Sequence, residues 1–268
     1  MFPRIRKWFS AIDDKKSTWD HKATEWVWHA FDPHDKYTRL LTFTMQVLDR
    51  HVRAGKALDV GCGPGLLSEM LAQRGFDVYG TDISERMIEA AVARMASVVD
   101  NARLRFRVCT DGEVPFPDMQ FDLIAAIQLF PYVFQYTPYI RRLSNLLKPG
   151  GIIAATNTNR FSLWAAHEIL DRTLRIPPHV RTIRNLARTG YHSGGHVDYK
   201  TSQQAYSADR FDALFAAEGF RLIDSMDYYH IGRLDRDPLH RKGLGERLAR
   251  RLAWHHLGIY QKAGPARS

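Results

Sequence analysis

Cysteine is scarce in this sequence. Only Cys62 and Cys109 occur in 268 residues, and neither has a partner in a Cys-x-x-Cys arrangement. A disulfide framework is therefore excluded, and a cysteine-bound zinc ion is not expected. Runs of about 20 apolar residues are also absent, which predicts that no helix spans a membrane. The first nine residues lack the apolar stretch of a signal peptide. These absences favour a cytoplasmic protein with reduced thiols.

Acidic residues are fewer than basic ones, and the formal net charge is +9. The excess is concentrated in residues 1–22, with six Lys or Arg and three Asp, and in residues 233–255, with seven Lys or Arg and three acids. The second segment contains a basic amphipathic stripe of Leu244, Leu248, Leu252, Arg247, Arg250 and Arg251. Such a stripe suits either an anionic membrane surface or a solvated helix docked on its own domain. Peripheral membrane contact is therefore one prediction for this segment.

An apolar strand that breaks into alternating glycines is the most informative feature present. Residues 57–65 have the sequence Ala-Leu-Asp-Val-Gly-Cys-Gly-Pro-Gly, and a helical pattern of leucines follows. A glycine turn between a buried strand and a helix lets a ligand lie against bare backbone. Asp82 ends the next apolar run, about 20 residues further on, where nucleotide-binding α/β folds place an acid that binds ribose.

The spacing of the glycines narrows the class of ligand. A dinucleotide loop has the pattern G-x-G-x-x-G, and Leu66 stands here at its third glycine position. The phosphate loop G-x-x-x-x-G-K-[ST] is also absent, because Leu66 and Leu67 stand where it needs Lys and Ser. The pattern therefore indicates a nucleoside site without the loop chemistry that a phosphate group requires.

Four motifs in one order make the sequence similar to the class I S-adenosylmethionine-dependent methyltransferases. They are Leu58–Gly65, Thr81–Ser84, Pro115–Ile124 and Leu146–Gly151. The resemblance covers roughly residues 56–231, and residues 22–28 also resemble the N-terminal helix of the ubiquinone-biosynthesis O-methyltransferase type. It implies an α/β fold with a doubly wound, seven-stranded, mostly parallel sheet. It also implies S-adenosylmethionine as cofactor and S-adenosylhomocysteine as product.

The resemblance assigns cofactor contacts to the ends of the first four strands. The glycine loop would hold the methionine portion, and Asp59 would receive its amino group directly or through water. Asp82 would accept hydrogen bonds from both ribose hydroxyls, and Ile83 would pack on the adenine. Asp111 would bind the exocyclic amine of the adenine. The predicted cofactor residues are Asp59, Gly61, Cys62, Gly63, Gly65, Asp82, Ile83, Met87, Asp111, Gly112, Gln128 and Leu129. The alternatives are an ordinary tight turn for the glycines, a helix cap shared with Ser84 for Asp82, and a solvated loop acid for Asp111.

Alternating strand and helix patterns predict the course of the chain. We expect strands near 56–60, 77–81, 104–109, 121–127 and 151–156, and helices near 65–74, 84–97 and 136–147. A further helix should run from Ser207 to Ala217, followed by strands over 220–230 and 256–263, which pair antiparallel by resemblance to the family. The predicted parts are a helical segment over the site (1–50), the core (51–156 and 205–263), an inserted cap (157–204) and a basic insert (231–255).

Methyl transfer from a sulfonium is an in-line displacement, so placement and exclusion of water supply most of the acceleration. A hydroxyl acceptor must also lose its proton, for which histidine titrates in the useful range. His192 and His196, with Tyr191 in the same glycine-flanked loop, are the predicted catalytic residues. Structural or exposed histidines are the alternative. Two glycines between the histidines argue against a helical metal pair, and no metal site is predicted.

The residues after the fourth strand, Gln128-Leu129-Phe130-Pro131-Tyr132, stand where many class I enzymes that methylate nitrogen carry Asn/Asp-Pro-Pro-Tyr/Phe. This difference argues against DNA-adenine and protein-glutamine substrates. The aromatic run at Phe130, Tyr132, Phe134 and Tyr136 either lines the acceptor site or packs in the core.

The leading hypothesis is a methyltransferase that O-methylates a small apolar, aromatic or lipid-linked metabolite. One alternative is an RNA or protein methyltransferase, which the basic character of the chain suggests. Nucleic acid is the disfavoured partner, because no RNA-binding module is recognisable and the charge lies towards the ends. A second alternative is a non-catalytic S-adenosylmethionine binder that acts as a sensor or partner subunit. The sequence predicts neither the acceptor's identity nor the oligomeric state.

Overall fold

The protein is described here by a computed structural model. It describes residues 16–23, 26–27, 31–32, 35–96, 103–109, 116, 119–133, 135–158, 191–193, 202–204, 206–228 and 255–264. The α-helices are α1 (Lys36–Leu48), α2 (Leu66–Gln73), α3 (Glu85–Met95), α4 (Tyr136–Asn145) and α5 (Ala208–Ala217), and residues 16–23 are also helical. The strands are β1 (Gly55–Val60), β2 (Phe76–Asp82), β3 (Leu104–Val108), β4 (Phe121–Ala126), β5 (Leu147–Thr158), β6 (Tyr191–Ser193), β7 (Ser202–Gln204), β8 (Phe220–Tyr228) and β9 (His255–Lys262).

Seven of these strands form one sheet in the order β3-β2-β1-β4-β5-β9-β8, and β6 pairs with β7 in a separate ribbon. Strands β1 to β5 pair in parallel, whereas β9 is antiparallel to both of its neighbours. The chain moves outward from β1 to β3 and then returns to the other side of β1 at β4. The loops after β1 and β4 therefore diverge, and a crevice opens at the carboxyl ends of these strands, where α/β sheets bind ligands.

Both faces of the central strands are buried, as expected for a parallel sheet covered by helices. On one face, Ala57 and Leu123 pack with residues of α1 and α2. On the other face, Leu58 and Ile124 pack with the aromatic residues of α4 and α5. The predicted doubly wound, mostly parallel sheet is confirmed, and so is the antiparallel pairing of the last two strands.

Two predicted helix starts are confirmed by their caps. The Ser84 hydroxyl accepts a hydrogen bond from Met87 N at 3.1 Å, at the beginning of α3. Ser207 caps α5 in the same way, with Arg210 N at 3.4 Å. Each side chain satisfies one of the amides that the first turn of a helix leaves without a partner.

The fifth strand differs from the prediction at both ends. The sequence pattern placed a helix to residue 147 and a strand over 151–156, but α4 ends at Asn145 and β5 runs from Leu147 to Thr158. Leu147 already pairs with Phe121, and an irregularity between Phe121 and Leu123 accommodates the Pro-Gly-Gly stretch that follows. At its other end, Asn157 and Thr158 still pair with β9, so the sheet extends into the range predicted for the cap.

The predicted cap and the predicted basic insert lie mostly outside the described residues. Of the cap, the structure describes β5's last two residues and the short ribbon of β6 and β7. Strand β7 runs beside the 3-10 turn Phe130–Tyr132 that follows β4. Of the basic insert, only His255 is described. In the described part of the chain, no helix combines the length and apolar character needed to cross a bilayer.

Candidate cofactor-binding site

The glycine loop after β1 is held by hydrogen bonds to the end of β2. Gly61 N and Cys62 N both donate to the carbonyl oxygen of Thr81, at 2.7 and 2.9 Å. Gly63 N donates to Asp82 Oδ2 at 2.9 Å, with Gly63 at a φ of 52°. This left-handed conformation favours glycine, so the loop depends on the residue type that the sequence provides.

Asp82 binds backbone with both carboxylate oxygens. Besides the bond from Gly63, Oδ1 accepts from Ser84 N at 2.9 Å. Burial raises the pKa of this carboxyl, and the amides of Ser84 and Gly63 partly offset that effect. Because each carboxylate oxygen has two lone pairs, both still have capacity for a ligand donor. The Ser84 hydroxyl caps α3, and Asp82 contributes to this helix start only by accepting the N–H of Ser84.

Asp59 is a buried acid with no charged partner in the described residues. Asp59 is 3% exposed, and its Oδ2 accepts a hydrogen bond from Ser68 Oγ at 2.7 Å. Burial raises the pKa of Asp59 to about 7, an effect that the Ser68 bond opposes. A buried carboxylate without a cation beside it is costly for the fold alone. The site therefore suits a ligand that brings a positive charge to Asp59.

Aromatic side chains from the N-terminal part of the chain and from the 3-10 turn after β4 form a wall over the loop. In this wall, defined by Tyr132, Trp19, Trp26 and Tyr37, neighbouring ring centroids are 5.3, 6.1 and 5.3 Å apart. Trp26 Nε1 lies 3.7 Å from where a Cβ on Gly63 would be. The sequence predicts a helical segment over the site (1–50), but it did not indicate that Trp26 lies beside Gly63 or that Tyr37 packs against Trp26 there.

Two polar contacts dock the helical residues 16–23 at the start of α3. Ser84 Oγ donates to Asp20 Oδ1 at 2.5 Å, and Lys16 Nζ lies 2.6 Å from Glu85 Oε1. Asp20 therefore reaches the turn that Asp82 also binds. These contacts hold the aromatic wall next to the end of β2.

The end of β4 closes the other side of the crevice. Gln128 has a φ of 59°, a conformation uncommon for residues other than glycine, and its N–H donates to Thr156 Oγ1 at 2.6 Å. Leu129 reaches the loop, since its Cδ1 lies 3.0 Å from where a Cβ on Gly61 would be. Strained backbone at such a position is typical of functional sites.

The predicted aromatic run after β4 is divided between two environments. Phe130 and Tyr136 are buried in the aromatic core, where Phe130 contacts Phe211 at a centroid distance of 5.1 Å. Tyr132 instead contacts Trp19 of the wall. Core packing therefore explains Phe130 and Tyr136, whereas Tyr132 belongs to the aromatic wall.

The predicted residues that the structure brings together are those of β1, β2 and β4. Asp59, the glycine loop, Asp82 and Leu129 lie around one crevice. Met87 is buried and contributes its N–H to the Ser84 cap, while Ile83 is partly exposed. The predicted contacts of all these residues with a cofactor stay predictions.

Several predicted site residues cannot be placed with respect to the crevice. Asp111, Gly112 and His196 lie outside the described residues. Tyr191 and His192 belong to β6, where the structure defines the backbone pairing with Gln204 and Gln203. Their catalytic role stays a prediction.

Comparison with known proteins agrees with this geometry. Residues 58–155 match the family model described as a methyltransferase domain.

Two relatives are both named ubiquinone biosynthesis O-methyltransferase. The one from Bordetella avium is 29% identical over 143 residues, which cover 53% of this chain and 56% of that protein. The one from Caulobacter vibrioides is 33% identical over 167 residues, which cover 57% of this chain and 61% of that protein. The chain thus spans about three fifths of the length of these curated relatives.

Solved structures show the fold. A SAM-dependent methyltransferase from Methanosarcina mazei has a TM-score of 0.62 at 16% identity, covering 82% of this chain and 98% of that chain. The magnesium protoporphyrin IX methyltransferase from Synechocystis PCC 6803, solved with bound S-adenosylhomocysteine, has a TM-score of 0.59 at 14% identity, covering 92% and 98%. The predicted Rossmann-like methyltransferase fold is confirmed.

Proposed function

We propose that this chain, whose residues 58–155 form a methyltransferase domain, is an S-adenosylmethionine-dependent methyltransferase that acts on a small molecule. The observation that carries the proposal is the pair of carboxylates, buried Asp59 and half-buried Asp82, on either side of the glycine loop. Asp59 suits the ammonium group of the cofactor, and Asp82 has free lone pairs for the ribose hydroxyls. The loop between them presents backbone without side chains.

Oxygen is the proposed acceptor atom. The two relatives named ubiquinone biosynthesis O-methyltransferase support this choice. Asn157 is compatible with this choice but does not distinguish oxygen from nitrogen. Its Nδ2 donates to the carbonyl oxygen of Tyr206 at 2.8 Å, and its buried Oδ1 has no hydrogen-bond partner among the described residues. A buried acceptor of this kind at the carboxyl end of β5 suits either a hydroxyl or an amine donor.

Bound S-adenosylmethionine supplies a methyl group that is already activated. The chain then has to place the acceptor, exclude water and remove a proton from a hydroxyl. The aromatic wall excludes water at the loop, and His192 or His196 is the proposed base, with Tyr191 beside them. Cys62 takes no covalent part, because burial raises the pKa of its thiol well above the usual range.

Incubation of a metabolite extract with methyl-labelled S-adenosylmethionine tests the proposed function. We expect one small molecule to gain a labelled methyl group, with S-adenosylhomocysteine as co-product, and mass spectrometry identifies both. Label in RNA or protein instead would favour the alternative macromolecular substrates. Binding of S-adenosylhomocysteine without any labelled product, across extracts of several growth conditions, would favour a non-catalytic binder.

Cofactor affinity should depend on pH through Asp59. The pKa of Asp59, about 7, lies above its unfolded value, so the protonated carboxyl stabilises the fold without ligand. This stabilisation is lost as pH rises through 7. The ligand's ammonium needs the carboxylate instead. We therefore expect S-adenosylhomocysteine to bind about tenfold more weakly at pH 6 than at pH 8, because a carboxyl with a pKa of about 7 is about 9% ionised at pH 6 and about 91% ionised at pH 8.

Isothermal titration calorimetry over this pH range checks the prediction. The matched control is Asp59→Asn, which removes the titrating group while keeping the shape of the side chain. The affinity of this variant should be lower at pH 8 and nearly independent of pH. An equally steep profile in the variant would assign the pH dependence to another group.

A further inference from the structure

A buried side-chain amide at the carboxyl end of β5 has an oxygen without a partner. Asn157 is fully buried, and its Nδ2 donates to the carbonyl oxygen of Tyr206 at 2.8 Å. Its Oδ1 is the one buried side-chain polar atom in the described part of the chain that makes no hydrogen bond. Because the bond to Tyr206 needs the amide nitrogen, it fixes the orientation of the amide and directs the oxygen elsewhere. Folded proteins rarely leave such an atom unpaired, which indicates that the oxygen has a use in binding.

The donors that β9 places on the same face of the sheet are committed to other acceptors. Asn157 stands opposite His256 in the pairing of β5 and β9, and His256 stands opposite Asp227 of β8. Directly opposite residues project from the same face, so these three side chains lie side by side. His256 uses one ring nitrogen on Asp227 and the other on Asp212. The Tyr260 hydroxyl also donates to Asp212, so neither donor serves the Asn157 oxygen.

Asn157 lies at the edge of the sheet that carries the cofactor crevice. The preceding residue, Thr156, accepts the N–H of Gln128 with its Oγ1 at 2.6 Å, and Leu129 then reaches the glycine loop. Strand β5 also packs beside the 3-10 turn Phe130–Tyr132. The unpaired oxygen is therefore one strand away from the β4 side of the crevice.

The surroundings of the amide restrict the group that can reach its oxygen. On the β9 side, two carboxylates flank a single imidazole, so this side carries no net positive charge to hold an anion. An amide oxygen is only an acceptor, which requires a hydroxyl or amine that still carries a proton. On the other side, the ring of Tyr206 packs against Tyr136, with centroids 4.9 Å apart. An uncharged donor on an aromatic or apolar body fits both sides.

We propose that Asn157 Oδ1 accepts a hydrogen bond from an uncharged hydroxyl or amine of the methyl acceptor, and that it selects acceptors with this donor on an aromatic or apolar body. The inference rests on the proposed function and adds a polar contact that orients the substrate. The bond from Asn157 Nδ2 to Tyr206 holds the amide in the required orientation. A molecule whose only polar group is a carboxylate or an ether would leave the oxygen unpaired and bind more weakly.

Three small probes that share a benzene ring test the proposal: phenol, toluene and benzoate. Ligand-observed NMR titrations measure their affinities for the wild type and for Asn157→Leu, each saturated with S-adenosylhomocysteine. Leucine has nearly the same shape as asparagine but no acceptor, so a bound phenol hydroxyl would be left without a partner. We expect the ratio of phenol affinity to toluene affinity to fall about tenfold in this variant. Benzoate should bind the wild type more weakly than phenol does.

Asn157→Asp separates the two ends of the amide. This variant loses the Nδ2 donor to Tyr206, as Asn157→Leu does, but it keeps an acceptor oxygen. The preference for phenol should therefore persist in Asn157→Asp and disappear in Asn157→Leu. Asn145→Leu is the matched control, because Asn145 is exposed at the end of α4, where the chain enters β5 at the opposite edge of the sheet. It should bind all three probes like the wild type.

Thermal melts establish that each variant is folded, and Asn157→Ala replaces Asn157→Leu if the leucine prevents folding. An unchanged phenol-to-toluene ratio in the variant without an acceptor would overturn the inference. An equal fall in Asn157→Asp would also overturn it, because Asn157 would then only anchor Tyr206. A wild type that binds S-adenosylhomocysteine but not phenol, or that binds benzoate as tightly as phenol, would refute the inference and leave the proposed function standing. A wild type that does not bind S-adenosylhomocysteine would refute the proposed function itself.

Discussion

Replacing Asp82 with alanine should weaken S-adenosylhomocysteine binding by about a hundredfold or more. The carboxylate is expected to accept hydrogen bonds from two ribose hydroxyls. Hydrogen bonds to charged groups contribute about 1.5–3 kcal/mol each to the free energy of binding. The substitution also removes the acceptor of Gly63 N and Ser84 N, which fixes the glycine loop and the start of α3. Both effects reduce binding, the first by loss of contacts and the second by loss of preorganisation. Calorimetry and ligand-induced shifts in melting temperature measure the change.

Asp77→Ala is the matched control for Asp82→Ala. Asp77 lies on the same strand, its side chain is half exposed, and its recorded ion-pair partner is Arg103 at 3.9 Å. This control should bind like the wild type. Asp82→Asn separates the two effects, since its amide oxygen still accepts one backbone hydrogen bond while the charge is lost. Wild-type affinity in Asp82→Asn and Asp82→Ala alike would mean that the ribose lies elsewhere.

The core of the fold and the loop of the site could be predicted from local sequence. The glycines after β1, the acid that ends β2 and the Ser84 cap each follow from the chemistry of a few neighbouring residues. Apolar runs buried on both faces likewise identify parallel strands without knowledge of their partners. The missed start of β5 at Leu147 has a different origin. That pairing with Phe121 depends on an irregular register between two strands, which a local pattern does not contain.

Contacts between distant parts of the chain were the features that sequence reasoning missed. Trp26 reaches Gly63, and Asp20 binds Ser84 across 64 positions of sequence. An aromatic-rich segment indicates that some surface is covered, but it does not specify which ring meets which loop. The same limit applies to His256, whose two carboxylate partners come from α5 and β8. Asp227 and Asp212 lie 29 and 44 positions from His256, and no sequence pattern identifies them as its partners.

His256→Ala should be the most destabilising substitution at an ionisable residue of the described fold. The imidazole is fully buried, with Nδ1 2.8 Å from Asp227 Oδ1 and Nε2 3.0 Å from Asp212 Oδ1. Tyr260 also donates to Asp212 Oδ1, at 2.6 Å. Removing the histidine takes away the one side chain that bonds both carboxylates. Breaking a buried ion pair in this way costs about 3–5 kcal/mol of the free energy of unfolding.

The surface pair of His51 and Asp224 provides the control, because its distance is similar but its environment is not. His51 Nε2 lies 2.9 Å from Asp224 Oδ2, with side chains 23% and 21% exposed. Exposed pairs contribute about 0–1 kcal/mol, so His51→Ala should shift the urea midpoint little. A comparable loss in both variants would mean that burial does not determine the strength of these pairs.

Stability should also depend on pH through His256. Burial alone would lower the pKa of this imidazole, but the hydrogen bonds and charges of Asp212 and Asp227 outweigh it and raise the pKa. Because the folded pKa lies above the unfolded value of about 6.5, the stabilisation is complete below that pH and is lost as pH rises through the folded pKa. Urea unfolding of the wild type and His256→Gln between pH 6 and pH 9 measures the difference. The gap between the two should narrow with rising pH, because neutral histidine no longer balances the two aspartates, and a gap that widens instead would contradict a charged imidazole in the fold.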